Sequence, residues 1–314
     1  CYNPHVITLR GVTVSFGAKT VFDGLDWELP EAGVYLVLGA NGAGKSMLLD
    51  VIAGRRKPRA GAVHLGKVPV YKLFGPDLPR MEYLRREASA EDAGTLWNVF
   101  GYRMRQSGGD EKPGEILERM TLPWTEAEMR KLRVEALPQG ELLEFELLCA
   151  MSLMPKYLFI DDYFSRFSFA GCERVAASLQ SWQRISGGTV LATSTRYFGF
   201  MDTFSGIYVL EGGKLRELQP IAKCGDGRGA DELDASGPRE VLIVCGEYFY
   251  RHSRVQQENA HVELLAVLEN ALLISVKTTL DDALKFLDDC GIDVLSVSFR
   301  PRMDAKEYGQ GVFF

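Results

Sequence analysis

The chain has 314 residues, a length that suits one large domain with a small one, or two medium ones. Hydrophobic residues make up 46% of the sequence and charged residues 25%, which is typical of a globular protein and disfavours a disordered one. The formal net charge of -6 disfavours a nucleic-acid binder, because such proteins usually present a basic face, so we expect no nucleic-acid partner.

The termini, apolar runs and cysteines give three further expectations. The sequence starts at Cys1 and not at Met, which is compatible with removal of a targeting segment. No apolar run approaches the roughly 18 residues that span a bilayer, so membrane contact is expected only through a partner. The six cysteines are scattered without a CxxC pair, which predicts buried reduced thiols and neither a metal site nor disulfides.

The first part of the chain alternates apolar strands with turns. Residues 7–16 and 21–29 alternate apolar and polar side chains, which predicts two half-buried strands. Residues 34–38 form a continuous apolar run, typical of a strand that is buried on both faces. A glycine-rich loop follows over residues 39–44, and the apolar pattern then predicts a helix over 46–53.

The middle of the chain is charged and its pattern is mostly helical. Helices are predicted at 80–86, 96–105, 114–120, 125–134, 141–154 and 172–185. Buried strands are predicted at 157–160 and 189–192, and a hairpin over 207–218.

The last part of the chain begins with a glycine-rich and acidic stretch, residues 225–238, which predicts a linker. Beyond it we predict strands at 240–245, 271–277 and 294–299, and helices at 261–269 and 280–290. The sequence therefore predicts a first domain over residues 1–220, a linker over 221–239 and a small α+β domain over 240–314.

The glycine-rich loop carries the strongest functional signal. Residues 39–46 read Gly-Ala-Asn-Gly-Ala-Gly-Lys-Ser and fit the pattern G-x-x-x-x-G-K-[ST] between a strand and a helix. Glycines let backbone N–H groups turn inward around phosphate oxygens, and the helix N-terminus adds a positive dipole. The motif predicts a nucleotide site in which Lys45 reaches the β/γ-phosphates and Ser46 binds Mg²⁺. The residues assigned to it are Gly39, Asn41, Gly42, Ala43, Gly44, Lys45, Ser46 and Met47.

Over residues 6–218 the order and spacing of these features resemble the ABC (ATP-binding cassette) ATPase family. The resemblance implies an α/β P-loop NTPase core with an antiparallel β subdomain and a helical subdomain, to which the small α+β domain is appended. It implies ATP and Mg²⁺ as ligands, with Phe16 stacking on adenine and Asp161 holding Mg²⁺ through water. A core position for Phe16 is the alternative.

Five features depart from the family's pattern. Asp162 stands where a catalytic glutamate would polarise the attacking water, and its carboxylate is one methylene shorter. The signature Leu-Ser-Gly-Gly-Gln aligns with residues 137–141, which read Leu-Pro-Gln-Gly-Glu. Ser194 aligns with the switch histidine and Ser168 with the D-loop aspartate, and no glutamine lies near Lys72, where the Q-loop is expected.

The resemblance implies the ATP-binding subunit of an ABC-type transporter, which works with a membrane-embedded subunit and a second ATPase subunit. Such a chain would be a peripheral membrane protein on the cytoplasmic or organelle-matrix side. The catalytic residues would be Lys45, which neutralises developing charge, and Asp162, which orients water. The departures predict hydrolysis that is weak or dependent on the partner ATPase.

Two alternatives remain at this point. The first is a catalytically degenerate ABC pseudo-ATPase that acts as a structural or regulatory subunit of a larger assembly. The second is a different P-loop enzyme, such as a kinase or a helicase. Residues 240–314 weakly resemble the C-terminal domain of drug- and sodium-exporter-type ABC ATPases in their order of strands and helices, and an unrelated interaction domain is the alternative for them.

Overall fold

A computed structural model describes most of the chain, and its strands form three sheets within the described residues. The described residues are 7–17, 19–72, 80–85, 93–106, 124–198, 204–218, 239–245, 255, 259–268, 271–290, 292 and 294–299. The chain divides into two compact units, residues 1–217 and residues 218–314. Nearly all of the predicted linker and the predicted helix at 114–120 lie outside the described residues.

The first unit contains ten described strands and five α-helices. The strands are β1 (Ile7–Phe16), β2 (Lys19–Leu29), β3 (Val34–Leu38), β4 (Ala60–Leu65), β5 (Val68–Pro69), β6 (Met81–Leu84), β7 (Tyr157–Ile160), β8 (Thr189–Ser194), β9 (Gly206–Glu211) and β10 (Lys214–Leu218). The α-helices are α1 (Lys45–Ile52), α2 (Leu96–Gln106), α3 (Glu126–Met129), α4 (Gln139–Ser152) and α5 (Phe169–Ser186). Short 3₁₀ helices lie at Val70–Lys72, Val134–Ala136 and Phe164–Arg166.

A mixed sheet with the strand order β10-β9-β3-β8-β7-β6 forms the centre of this unit. Its strands from β9 to β6 pair in parallel, and every residue of β3, β7 and β8 is buried, as expected for a sheet covered on both faces. Leu38 pairs with Ser194, and Ile160 pairs with Ala192 and with Leu84. The residues that follow β3, β6, β7 and β8 therefore meet at one edge of the sheet, where open α/β sheets bind ligands.

An antiparallel sheet with the order β2-β1-β4-β5 packs through one apolar cluster with α1 and the mixed sheet. Leu48, Leu49, Val51 and Ile52 of α1 are completely buried in this cluster. Burial of each such side chain stabilises the fold by about 1.5–3 kcal/mol. This packing holds the start of α1, and with it the preceding glycine-rich loop, in place.

The helices α2, α3 and α4 share a separate apolar cluster that includes Trp124 and Phe145. Thr125 and Glu128 form a capping box at the start of α3, in which each side chain accepts the other residue's N–H. Helix α4 joins α5 through an ion pair in which Arg174 Nη2 lies 2.7 Å from Glu144 Oε1.

The second unit has the strands β11 (Arg239–Cys245), β12 (Val262–Val267), β13 (Ala271–Val276) and β14 (Val294–Phe299), with helix α6 at Leu280–Asp289. Its antiparallel sheet has the order β12-β13-β11-β14. Strands β13 and β14, which α6 connects, both pair with β11. Among the described residues of the whole chain, no helix is long and apolar enough to span a bilayer.

The predicted fold class is confirmed, but three predicted helices are wrong in part or in full. Residues 81–84 form β6 and residues 262–267 form β12, whereas both were predicted as helices. The helix predicted at 125–134 ends at Met129. Segments of four to six residues fit both the helical and the strand period, so pairing with a neighbouring strand decides between them. Cys149, Cys172 and Cys290 are buried thiols, as predicted.

The central strand β3 generates a stability prediction. Leu36 is completely buried, so Leu36→Ala should lower the free energy of unfolding by about 2–5 kcal/mol because it leaves a cavity. Leu132, 37% exposed, supplies the control: Leu132→Ala should change it by less than about 0.5 kcal/mol. Urea denaturation followed by circular dichroism measures both, and equal effects would contradict the assignment of Leu36 to the core.

Candidate functional site

The glycine-rich loop takes a backbone conformation that requires glycine. Gly42 has a φ of +80°, and Gly44, the N-cap of α1, has a φ of +105°. A Cβ atom at Gly44 would lie 2.7 Å from Cγ1 of Val21, so a larger residue would also clash with β2. The loop therefore leads directly into a helix N-terminus, whose N–H groups and dipole favour an anion.

Lys45 is the first residue of α1, and its side chain folds back along the loop. Its Nζ donates to the carbonyl oxygens of Gly39 at 2.7 Å and of Ala40 at 2.9 Å. The side chain is only 7% exposed, so its charge lies close to the loop backbone. These contacts place the ammonium group where it can meet a phosphate bound by the loop.

Two aspartates follow β7, and a hydroxyl of β8 joins them. The Thr193 hydroxyl donates to Asp161 Oδ1 at 2.9 Å and accepts the Asp162 N–H at 3.0 Å. The N–H of Asp161 donates to the carbonyl oxygen of Leu84 at 2.9 Å, which holds the end of β7 beside the end of β6. Asp162 has a φ of +54°, a left-handed conformation that aspartate tolerates better than most residues.

The loop, the aspartates and the ends of β1, β2 and β6 line one cleft of about 740 Å³. This volume lies within the range of small-molecule sites. The lining residues are Phe16, Lys19, Val21, Asn41, Gly42, Gly44, Lys45, Ser46, Met47, Arg85, Asp161 and Asp162.

Most of the residues that the sequence assigned to a nucleotide site thus line the same cleft, and two do not. Gly39 contributes its carbonyl oxygen to Lys45, and a Cβ there would lie 2.8 Å from the carbonyl oxygen of Leu210. Ala43 packs against the apolar cluster around α1. Both residues therefore shape the loop from behind the cleft.

Phe16 lies at the end of β1 on the wall of the cleft and is 65% exposed, which excludes the alternative of a core position. The Arg56 guanidinium carbon lies 6.0 Å from the centre of its ring. An exposed aromatic ring beside a phosphate-binding loop offers a flat apolar surface on which a base can stack.

Sequence reasoning missed several cleft residues, above all Arg85, because residues 80–86 were predicted as a helix. Arg85 directly follows β6, the strand that pairs with β7. Lys72, near which the Q-loop was expected, ends the 3₁₀ helix beyond β5 and does not line the cleft. Lys19 and Val21 reach the cleft from β2. Only the recognition of Met81–Leu84 as a strand would have pointed to Arg85.

Charge and donor chemistry in the cleft suit a polyphosphate with a divalent cation. Lys19, Lys45 and Arg85 are its basic residues, and Asp161 and Asp162 its acidic ones. The Ser46 hydroxyl and the Asp161 carboxylate offer hard oxygen donors, which Mg²⁺ prefers. In proteins, waters and phosphate oxygens commonly fill the rest of the Mg²⁺ coordination shell. These residues therefore fit Mg²⁺.

The positions that depart from the family's pattern have local roles. The Ser194 hydroxyl is completely buried, donates to the Arg196 carbonyl oxygen at 2.8 Å and accepts the Arg196 N–H at 3.0 Å. Ser168 caps α5 by accepting the Gly171 N–H at 3.2 Å. Pro138 is the N-cap of α4 and makes no side-chain capping bond, and both it and Gln139 are exposed.

This unit is similar to known ATP-binding proteins. The model of a family described as ABC transporter matches residues 22–165. The chain is 24% identical over 310 residues to the daunorubicin resistance ATP-binding protein DrrA3 of Streptomyces coeruleorubidus, with 95% of this chain and 93% of that protein covered. It is 30% identical over 200 residues to the Fe(3+) ions import ATP-binding protein FbpC of Streptomyces coelicolor, with 61% of this chain and 55% of that protein covered.

Solved structures show the same fold. The structure of cbiO1 from Clostridium perfringens, described as part of the ABC transporter complex cbiONQ, matches with a TM-score of 0.58 and 15% identity over 69% of this chain and 90% of that one. An ATP-binding subunit of an ABC transporter matches with a TM-score of 0.53 and 17% identity over 68% of this chain and 90% of that one.

The Thr193 hydroxyl generates a prediction about the two aspartates. Thr193→Val should lower the free energy of unfolding by about 1–3 kcal/mol, because it removes a buried acceptor of the Asp162 N–H and a donor to Asp161. Thr193→Ser keeps the hydroxyl and should cost less. Urea denaturation of the two variants measures the difference, and equal losses would show that the methyl group, and not the hydroxyl, matters.

Proposed function

The chain carries an ATP-binding domain of the ABC transporter family, and on that premise we propose that it is the ATP-binding subunit of a transporter complex. The observation that carries the proposal is the single cleft in which Lys45, Ser46 and Asp161 lie together, with Phe16 on its wall. The ligand is ATP with Mg²⁺. Relatives such as DrrA3 and FbpC are themselves ATP-binding proteins of resistance and import systems.

Binding follows from the geometry of the loop. The N-terminus of α1 and the loop before it bind the phosphates, and Lys45 exchanges the Gly39 and Ala40 carbonyl oxygens for phosphate oxygens. The exposed ring of Phe16 stacks on the adenine. Ser46 and Asp161 would hold Mg²⁺, which would supply charge neutralisation at the phosphates.

Hydrolysis requires a positioned water, and Asp162 is the residue that orients it. The Thr193 hydroxyl positions Asp162 through its N–H and Asp161 through its carboxylate, so both aspartates depend on the same group. Lys45 neutralises the charge that develops on the transferred phosphoryl group. The short reach of the Asp162 carboxylate makes this step slow in the isolated chain.

The proposed partners are those expected of an ATP-binding subunit of a transporter. A membrane-embedded subunit receives the nucleotide signal, and the chain lies at the cytoplasmic or organelle-matrix face as a peripheral protein. The start of α4 is exposed at Pro138 and Gln139 and faces a second ATPase subunit. The nucleotide site of that second subunit is completed by this segment of the chain. Pro138 offers no side-chain hydrogen bond there, so the site completed by this segment is the weaker of the two.

A second candidate function is a degenerate ABC pseudo-ATPase that binds ATP as a structural or regulatory ligand. The observation that favours it is the Ser194 hydroxyl, whose two hydrogen bonds to the Arg196 backbone engage it away from any γ-phosphate. Retention of intact ATP by the purified chain distinguishes this candidate from a subunit that releases ADP.

Lys45 gives the main test of nucleotide binding. Lys45→Ala should weaken ATP affinity by about 30-fold or more, since a charge-assisted contact to phosphate contributes about 2–3 kcal/mol. Removal of Mg²⁺ with a chelator should weaken ATP binding to the unaltered chain. Calorimetric titration measures both, with Lys57→Ala, a change at an exposed lysine outside the cleft, as control. An unchanged ATP affinity of Lys45→Ala would overturn the proposed site.

Asp162 gives the test of turnover. Asp162→Glu should raise basal ATP hydrolysis by about tenfold, because the longer side chain brings the carboxylate closer to the attacking water. Asp162→Asn should lower it, since the amide cannot accept the proton. Phosphate release under saturating MgATP measures both variants, and a small loss of stability in Asp162→Glu is expected from the left-handed backbone. Identical rates in all three proteins would remove Asp162 from the mechanism.

A further inference from the structure

Arg85 brings an additional positive charge to the cleft. It directly follows β6, and the pairing of Leu84 with Ile160 sets it beside the start of the Asp161–Asp162 segment. The hydrogen bond from the Asp161 N–H to the Leu84 carbonyl oxygen keeps this register at the edge of the sheet. Arg85 and the two aspartates thus line the same part of the cleft.

In the structure, Arg85 forms a weak ion pair in which the arginine side chain is the more exposed partner. Its Nη2 lies 3.2 Å from Oδ1 of Asp50 on α1, and the two side chains are 58% and 23% exposed. An exposed ion pair with one contact contributes little to stability, because water solvates both charges. A guanidinium has five N–H donors in a planar fork, so this contact uses a small part of what Arg85 can donate.

The position of Arg85 along the cleft indicates which part of a nucleotide it meets. Arg85 follows β6, the strand next to β7, and so comes beside Asp161 and Asp162, which follow β7. In the proposed function Asp161 holds Mg²⁺ and Asp162 orients the water that attacks the last phosphate. A nucleotide bound in this way presents its last phosphate, and not its base, to Arg85.

We propose that Arg85 binds the terminal phosphate of the nucleotide, exchanging the Asp50 carboxylate for phosphate oxygens, and so makes the site select triphosphate over diphosphate. This inference rests on the proposed function. The planar fork of arginine matches phosphate geometry, and a terminal phosphate carries more charge than one carboxylate.

The test compares two ligands across three single variants of the full chain. Calorimetric titration gives the affinities for MgADP and for the Mg²⁺ complex of a non-hydrolysable β,γ-imido ATP analogue. Arg85→Gln should weaken binding of the analogue by about tenfold or more and change MgADP binding by less than about twofold. Asp50→Asn releases Arg85 and should leave analogue binding unchanged or stronger.

Arg55→Gln is the matched control. The Arg55 guanidinium lies over the ring of Tyr83, as that of Arg85 does, but Arg55 does not line the cleft. The Arg55→Gln variant should therefore bind the analogue and MgADP with unchanged affinity. An effect as large as that of Arg85→Gln would overturn the inference.

Other outcomes overturn different claims. If Arg85→Gln weakened binding of the analogue and of MgADP equally, or if Asp50→Asn weakened analogue binding as much as Arg85→Gln, the ion pair would have a structural role only. Either result would overturn the inference and leave the proposed function standing. An unaltered chain that binds neither ligand would overturn the proposed function and the inference with it.

Discussion

Parallel pairing of β3, β8 and β7 is the constraint on which the whole site depends. It brings the ends of the three strands to one edge of the sheet, where the Gly39 N–H donates to the Ser194 carbonyl oxygen at 3.2 Å and Thr193 bonds to both aspartates. The phosphate loop and the acidic segment are more than one hundred residues apart in the sequence. Only the backbone ladder between their strands places them within reach of one ligand.

The cleft contains the groups that the family's pattern assigns to nucleotide binding, whereas positions that the pattern assigns to water activation carry other residues. Lys45 and the glycines of the loop have the geometry of a phosphate cradle, and Ser46 with Asp161 offers suitable oxygen donors. In contrast, the Ser194 hydroxyl bonds to its own loop. For this reason we propose that the chain binds ATP by itself and that hydrolysis needs a partner.

Among the described residues, those that line the cleft lie outside helices α2, α3 and α4 and outside the second unit. The exposed start of α4, where the sequence departs from the family's signature, is not among the residues that line the cleft. The second unit has its own apolar core around β13 and α6, as expected of a separate domain. The similarity to DrrA3 covers 95% of the chain, so it extends into this unit.

The sequence by itself determined the phosphate loop, the buried strands that flank it and the acidic end of β7. These features are local: glycines with positive φ, continuous apolar runs and a lysine next to a helix start identify themselves within a few residues. The sequence did not determine β6 or β12, because four to six residues fit the helical and the strand period alike and only a neighbouring strand decides. Tertiary structure alone placed Arg85 and Thr193 in the site, and gave Phe16 its exposed position, because each depends on contacts with residues far along the chain.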